Sequence, residues 1–459
     1  MGDPKEDSAA SQPAGITSDG KTPAKQNPWY VLATIAGEQS GEGIDEDLEL
    51  KNRAYWNAWA GQHLSAEDKA EIKDGFDFSS FQGTPEWSEV EAEVTEAFTK
   101  RLTGLDLPDP AKRVNFRNVA FSAPVSFQRF YFPALAYFYN ATFSETTFFD
   151  NATFSEFANF QHAIFSKPAD FTRATFSAYA NFTNATFSET AYFNDATFSE
   201  TALFISAGFS GPVTFVRTKF SGRADFTDAS FDAPCNFREV KFKVAYPDLE
   251  GTLLHAKTNI SAEDDFWPKT GKQKTGSRQD SEQGEEKRYR FLEDEPQTDK
   301  QAAQSCAHLR QNMAAQGLPE AAHFFFRREM QFASKIGSSI QRLPYKLFGL
   351  FSDYGHSIAR PLSALAGLWA LPMLIFWVNI CTGKCANTIG AELWVSLIKM
   401  AGLSIANIFQ ITGLQRVYWS EFIQCLPSWM KFLGGAQTLL AIPLLFLLLL
   451  GLRNRFRLK

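Results

Sequence analysis

The residue pair best spaced for metal chemistry is Glu320 and His323, the Glu-x-x-His arrangement that supplies one half of a carboxylate-bridged di-iron site. Such a site needs a second copy of the motif on a neighbouring helix, and the sequence contains no second copy. The six histidines and five cysteines are scattered and form no Cys-x-x-Cys pair, which disfavours a metal cluster, a zinc ribbon or a disulfide scaffold. We therefore predict no metal and no cofactor.

Three polar residues in an apolar C-terminal stretch form the second candidate site. Lys399, Asn407 and Gln410 lie near one stripe of a helix drawn through residues 391–414, as pore-lining groups would. A potassium-type filter sequence such as TVGYG does not follow this stretch. An ion channel subunit is therefore an open alternative, but we favour simple membrane anchoring.

Motifs of the common enzyme classes are missing from the sequence. It has no Walker motif, no GxGxxG after a strand, and no recognisable paired-carboxylate or Ser-His-Asp arrangement. The formal net charge of −6 is small for 459 residues and gives no sign of nucleic-acid binding. These observations predict a protein that is not an enzyme.

The elements that must position any site are organised around a phenylalanine repeat between residues 116 and 242. The spacing alternates strictly between five and six residues, which is an eleven-residue repeat. A small residue, mostly Ala, stands two positions before each Phe and therefore on the same face of an extended chain. The repeated residues are Phe116, Phe121, Phe127, Phe132, Phe138, Phe143, Phe149, Phe154, Phe160, Phe165, Phe171, Phe176, Phe182, Phe187, Phe193, Phe198, Phe204, Phe209, Phe215, Phe220, Phe226, Phe231, Phe237 and Phe242.

One long strand is excluded, because a step of five residues reverses the face of a strand and a step of six does not. An eleven-residue repeat also suits a right-handed coiled coil, but these units consist of Phe, Thr, Ser, Asn and Asp, with Gly and Pro inside the run. Each Phe therefore needs its own short extended segment and its own turn. The pattern predicts a solenoid with a phenylalanine core, represented by Phe143, Phe154, Phe165, Phe176, Phe187 and Phe198.

The units ADFTRATFSAY, ANFTNATFSET, AYFNDATFSET and ADFTDASFDAP resemble pentapeptide repeats of the form A-(D/N)-F-x-x. This resemblance implies a right-handed, four-sided parallel β-helix with the Phe and the preceding small residue inside. Four steps averaging five and a half residues make coils of about 22 residues, so the repeat predicts about six coils with looser corners at the six-residue steps.

One class of pentapeptide-repeat proteins mimics DNA through an acidic surface and binds topoisomerases. Residues 113–243 contain eleven basic and eleven acidic residues, so this solenoid is neutral overall. Its middle, residues 140–200, is acidic, with seven Asp and Glu against Lys167 and Arg173. DNA mimicry is therefore a second, weaker alternative.

Two uncharged stretches of twenty residues, 362–381 and 433–452, each match the thickness of a hydrocarbon core and predict transmembrane helices. Basic residues precede the first span and follow the second, so both flanks are predicted to be cytoplasmic. The stretch between them, 391–414, is an interfacial helix, a re-entrant segment or a third span. Cys381, Cys385 and Cys425 are candidates for pairing in an oxidising compartment, with free thiols as the alternative.

The remaining segments flank these two parts. Trp29, Tyr30, Trp56 and Trp59 precede the repeat and serve either as a cap over the solenoid end or as a docking surface. The predicted architecture is mainly β with flanking α-helices. Its segments are a disordered tail (1–26), a helical and aromatic cap region (27–110), the β-helix (111–245), an irregular linker (246–297), a helical hairpin with a juxtamembrane segment (298–361) and a transmembrane domain (362–459).

Nearly the whole chain resembles the bacterial membrane-bound pentapeptide-repeat proteins. The residues that carry this likeness are NPWYVLATIAGEQ before the repeat and AAHFFFRREM, FSDYGHSIARPL and GLRNRFRLK after it. The resemblance implies an architecture and no catalytic residues. We predict a multi-pass protein of the bacterial inner membrane, a scaffold or sensor whose partners are the lipid bilayer and an unidentified protein, with a homo-oligomer left open.

Overall fold

The computed structural model describes residues 20–40, 43–72, 79–268, 297–382, 393–409, 423 and 426–456. Its contacts divide the chain into two compact units, Met1–Glu329 and Met330–Lys459. The first unit contains the solenoid and the second contains the apolar helices. In the described residues the helices are α1 (Pro28–Ala33), α2 (Glu46–Ala60), α3 (Ala66–Glu71), α4 (Trp87–Arg101), α5 (Asp299–Ala315), α6 (Pro319–Ala333), α7 (Ser339–Ser352), α8 (Ala359–Thr382), α9 (Leu393–Ile408) and α10 (Ser428–Phe456).

The solenoid is a parallel β-helix with four sheets, as the resemblance implies, and it has about seven turns where the repeat predicts about six. Face 1 and face 2 hold the first two strands of each coil. Face 1 consists of β2 (Val114–Asn115), β6 (Ala136–Tyr137), β10 (Ala158–Asn159), β14 (Ala180–Asn181), β18 (Ala202–Leu203) and β22 (Ala224–Asp225). Face 2 consists of β1 (Thr22–Pro23), β3 (Val119–Phe121), β7 (Thr142–Phe143), β11 (Ile164–Phe165), β15 (Thr186–Phe187), β19 (Gly208–Phe209) and β23 (Ser230–Phe231).

Face 3 and face 4 complete each coil. Face 3 consists of β4 (Val125–Ser126), β8 (Thr147–Phe148), β12 (Ala169–Asp170), β16 (Ala191–Tyr192), β20 (Val213–Thr214), β24 (Cys235–Phe237) and β26 (Asn259–Ile260). Face 4 consists of β5 (Tyr131–Phe132), β9 (Thr153–Phe154), β13 (Thr175–Phe176), β17 (Thr197–Phe198), β21 (Lys219–Phe220) and β25 (Lys241–Phe242).

The interior is a continuous stack of phenylalanine rings. Strand register joins residues 22 apart, as in Phe165 with Phe187, so equivalent rings of successive coils lie parallel. The Phe143 and Phe165 centroids, for example, are 4.8 Å apart with an interplanar angle of 3°. The six representative core residues Phe143, Phe154, Phe165, Phe176, Phe187 and Phe198 are at most 1% exposed. Burial of large apolar rings is the main force that holds the coils together.

The two kinds of step make different corners. In a five-residue step the chain makes a tight turn, as where the Ala174 amide donates to the Phe171 carbonyl at 3.0 Å and Arg173 adopts φ 58°. Asp170 caps that turn, because its carboxylate accepts from the Thr172 amide at 2.8 Å. This side-chain bond explains the preference for Asp or Asn before Phe. The six-residue steps turn through bends instead.

The solenoid extends beyond both predicted boundaries. At its start, β1 lies within the predicted tail and pairs with β3, joining Thr22 to Val119. At its end, residues 246–260 were predicted as linker but continue the coil, since Asp248 bridges Asp225 and Ile260 pairs with Phe237. The repeat does not predict this last coil because its register is 23 residues and its core residues are no longer Phe.

The N-terminal helices cover the first coil. The Trp56 indole stacks on Phe130 at 5.3 Å and donates to the Tyr131 carbonyl at 2.8 Å. The Asn57 amide accepts from the Tyr131 amide at 2.9 Å and donates to the Arg129 carbonyl at 3.1 Å, so it occupies the place of a missing strand. Unpaired strand edges invite aggregation, and these contacts satisfy the edge of face 4.

The far end of the solenoid is closed in a similar way. Trp267 stacks on Phe242 at 5.1 Å and contacts Phe325 of α6 edge-on at 5.0 Å. Gln297, just before α5, accepts from the Tyr246 amide and donates to the Tyr246 carbonyl, at 2.9 and 2.8 Å. Aromatic and polar groups from outside the repeat therefore seal both ends.

Gly211 is expected to resist substitution because the backbone of the preceding coil leaves no room for a side chain. A Cβ atom at Gly211 would lie 2.7 Å from the Cα of Glu189, whereas one at Gly208 meets only the Ser230 Oγ at 3.8 Å. Gly211→Ala should lower the free energy of unfolding by about 1–3 kcal/mol. Urea denaturation of the full chain in detergent, with Gly208→Ala as the matched control, measures this; equal stability of the two variants would contradict it.

Candidate functional site

The groups suited to chemistry are dispersed. Glu320 is exposed on α6 and His323, half-buried, packs its ring 6.0 Å from Phe326. Among the described residues, no group of three or more His, Cys, Asp or Glu is placed to hold a metal ion. Within the described residues, Glu320 and His323 therefore belong to no such group.

Two cysteines lie in the described part of the chain as free, buried thiols, Cys235 and Cys306. Burial raises the pKa of the Cys235 thiol to about 11, and burial also raises the pKa of Cys306. A thiol that holds its proton is a poor nucleophile. The side chain of Cys381, and both Cys385 and Cys425, lie outside the described residues, so their predicted pairing stays a prediction.

Face 2 presents a flat row of small, uncharged side chains. The outward positions on either side of each core Phe carry mostly Thr and Ser, and exposed members include Thr186, Ser188 and Ser210. Ile164, on the same face, is 37% exposed. Because strands stack at about 4.8 Å, these side chains form regular columns along the solenoid. Such a surface suits contact with an extended partner and offers no cleft.

Charged side chains of the solenoid pair between successive coils. The Arg217 guanidinium donates to Asp195 at 2.7 Å, and Lys167 lies 2.9 Å from Glu189. The hydrogen bond from Arg217 lowers the pKa of the Asp195 carboxyl. Because basic residues stand beside acidic ones, the acidic middle of the sequence does not form an uninterrupted acidic face.

Face 1 carries an apolar band on its outer side. Tyr137, Phe157, Tyr179 and Leu203 form one cluster and are only 2–7% exposed. Outward side chains with so little exposure are not a free surface. Face 1 is thus a poorer candidate for partner binding than face 2.

The apolar helices of the second unit are joined by a buried hydrogen-bond network. Asn407 of α9 donates to the Gln437 side-chain oxygen on α10 at 2.9 Å, and Gln437 donates to the Leu368 carbonyl of α8 at 2.9 Å. Ser404 accepts from Gln437 at 2.6 Å and donates to the Trp369 carbonyl at 2.8 Å. Hydrogen bonds between polar groups stabilise the packing of apolar helices, and here they link all three helices.

The structure separates the residues of the predicted polar stripe. Asn407 is 1% exposed and its side chain is used in the network, whereas Lys399 is exposed on α9. Gln410 lies outside the described residues. The stripe as a pore lining stays a prediction.

Sequence reasoning missed Gln437 and Ser404, which hold Asn407 in place. Gln437 could have been identified from the sequence, because a single side-chain amide within an uncharged twenty-residue stretch must find a hydrogen-bond partner. Its partners come from two other helices and are not readable from spacing.

Two described helices are long and apolar enough to cross a membrane, namely Ala359–Asn379 within α8 and Ser428–Phe456. Their predicted counterparts were residues 362–381 and 433–452. The helix between them, α9, has 16 residues and is therefore about 24 Å long, short of a hydrocarbon core of about 30 Å.

Comparison with known families agrees with this geometry. The family model described as pentapeptide repeats (9 copies) matches residues 127–175 and 160–208. No curated protein and no solved structure gives a significant match to the chain. The matched residues coincide with the stacked coils, so the chain contains pentapeptide repeats that form a β-solenoid core.

Proposed function

We propose that this protein is a membrane-anchored scaffold or sensor without enzymatic activity, and that it binds another protein along face 2 of its solenoid. The observation that carries the proposal is the combination of a side-chain-filled interior with a flat, regular and exposed outer face. A rod filled by stacked Phe rings has no internal cleft for a small substrate. Repetitive solenoid surfaces are suited to extended binding partners.

The two apolar helices support the anchor. Basic residues cluster at one end of each, with Arg360 at the start of α8 and Arg453 and Arg455 in the last turn of α10. By the positive-inside rule we assign both ends to the cytoplasmic side of a bacterial inner membrane. An even number of spans agrees with that assignment.

The two alternative functions are less well supported. Binding to a topoisomerase by charge mimicry needs a continuous acidic face, and pairs such as Arg217 with Asp195 interrupt it. Ion conduction needs polar groups that face a path, and the Asn407 side chain is instead engaged with Gln437.

The test is photo-crosslinking in intact cells with the full chain. A photoreactive amino acid replaces Ile164 on face 2 or Tyr192 on face 3; each of these residues is 37% exposed. We expect a discrete crosslinked protein from position 164 that disappears when Thr186→Glu places a charge on the same face. Tyr192→Glu is the matched control and should leave that product unchanged.

Two results would overturn the proposal. One is equal crosslinking from both faces regardless of Thr186→Glu, which indicates non-specific contact. The other is a single-channel current from the purified protein in planar bilayers that changes when Asn407 and Gln410 are replaced by Leu, since this would make the membrane helices the working part.

A further inference from the structure

Helix α7 exposes a row of large apolar side chains. Ile340, Leu343, Leu347 and Leu350 are 84%, 53%, 43% and 65% exposed. Their spacing of three and four residues places them on one side of the helix. Four large exposed side chains on one helix face form an apolar patch that water solvates poorly.

The other sides of α7 differ in character. Phe351 packs against the apolar cluster of Leu365, Ile408 and Leu444, so one edge of the helix is already seated on the membrane helices. Arg342 and Lys346, four residues apart, lie beside the exposed apolar row on the side away from that contact. A helix with an apolar face flanked by basic residues is typical of a membrane–water interface.

The position of α7 is fixed by the turn that follows it. Asp353, Tyr354 and Gly355 are three successive residues in the left-handed region, with φ of 50°, 55° and 81°. This conformation is uncommon for residues other than glycine and persists where surrounding contacts enforce it. The turn connects the end of α7 to the start of α8.

Contacts hold this turn against the basic ends of both spans. Arg360, at the start of α8, donates to the Gly349 carbonyl of α7 at 2.9 Å. Asn454, near the end of α10, donates to the Gly355 carbonyl at 3.1 Å. A Cβ on Gly355 would lie 3.1 Å from that Asn454 amide, so the backbones approach closely. α7 is thereby held where both spans carry their basic residues.

Charge complementarity identifies the partner. Residues 330–360 contain Lys335, Arg342, Lys346 and Arg360, against the single acidic residue Asp353. Asp353 itself lies 3.9 Å from Arg360. Basic residues beside a membrane are attracted to anionic headgroups.

We propose that α7 lies in the membrane–water interface, with Ile340, Leu343, Leu347 and Leu350 among the lipid chains and Arg342 and Lys346 on anionic phospholipid headgroups. This inference rests on the membrane anchoring proposed above. In this position α7 recognises anionic lipid.

The test uses the full chain in vesicles made of equal parts phosphatidylcholine and phosphatidylglycerol. A photoreactive phenylalanine replaces Leu343, in the apolar row, or Tyr345, on the opposite side of the helix. After illumination, mass spectrometry of the intact protein counts lipid adducts. We expect phospholipid adducts at position 343, enriched in phosphatidylglycerol, and several-fold fewer at position 345.

Removing the charges should change the lipid preference without removing the lipid contact. Arg342→Gln and Lys346→Gln are each expected to reduce the ratio of phosphatidylglycerol to phosphatidylcholine adducts at position 343 by about fivefold. Lys241→Gln with Lys243→Gln, two exposed lysines on the solenoid, is the matched control and should leave the ratio unchanged.

The remaining outcomes separate this inference from the anchoring itself. Protein that fails to float with the vesicles at alkaline pH overturns both proposals. Protein that floats but yields no lipid adduct at position 343 overturns only this one. An adduct of twice the protein mass assigns the apolar row to a second copy of the chain and also overturns it.

Discussion

Phe171→Ala is expected to lower the free energy of unfolding of the solenoid by about 3–5 kcal/mol. Phe171 is fully buried in the middle of the stack. Its ring lies parallel to Phe149 and Phe193, at 4.8 and 5.0 Å, and meets Phe160 and Phe182 edge-on at 5.5 Å. Truncation leaves a cavity bounded by stacked rings on both sides, and rings bound to strands cannot move in to fill it.

Urea denaturation of the full chain in detergent, followed by circular dichroism, measures this loss. Tyr192→Ala is the matched control, because that side chain points outward beside Phe193 and is 37% exposed; it should cost less than about 1 kcal/mol. Phe171→Leu separates volume from ring geometry and should fall between the two. A Phe171→Ala variant as stable as Tyr192→Ala would show that the stack does not hold the coils together.

Glu49→Gln is expected to stabilise the protein by about 3 kcal/mol at pH 8 and to have little effect at pH 4. Glu49 lies on α2 and is 5% exposed. Burial raises the pKa of its carboxyl from 4.5 to about 7, and the nearby Arg53 offsets this only partly. Asp150 of the solenoid raises the pKa further, while Arg129 lowers it.

The direction of the pH dependence follows from that raised pKa. A carboxyl that holds its proton more tightly in the folded chain contributes stability that is fully present below about pH 4.5 and is lost as the pH rises through about 7. Above pH 7 the folded protein must bury a carboxylate, and glutamine removes this cost because it never ionises.

Denaturation midpoints at pH 4 and pH 8, read by tryptophan fluorescence, test this. Trp56 and Trp59 lie on the same helix as Glu49 and report its release from the solenoid. Glu91→Gln, an exposed position on α4, is the control and should behave like the unchanged chain at both pH values. If the denaturation midpoint of Glu49→Gln falls between the lower and the higher pH as much as that of the unchanged chain, this prediction is wrong.

Much of the fold was readable because its information is local. The alternation of five and six residues between Phe positions determines which side chains point inward, where the corners lie and how long a coil is. Helix starts are also encoded locally, since the Ser65 and Thr298 side chains accept hydrogen bonds from amides three residues later. Proline at the start of α6 follows the same short-range logic.

The last coil and the end caps depend on contacts distant in the sequence. Asn57 replaces a strand for Tyr131, 74 residues later, and Gln297 bonds to Tyr246, 51 residues earlier. No sequence periodicity predicts such a contact. A side-chain amide can hydrogen-bond to the backbone of an unpaired strand wherever the fold brings the two together.

The sequence by itself determined the four-sided phenylalanine solenoid, the two long apolar helices and the absence of any recognisable catalytic motif. Only the tertiary structure decided that Glu49 is buried beside charged groups of the solenoid, that Asn407 is held by Gln437, and that α7 is fixed to the basic ends of the two long apolar helices. The reason is physical. Repeats and apolar runs reflect interactions between residues that are close in the sequence. The burial of a single polar group depends instead on which residues, distant in the sequence, pack over it.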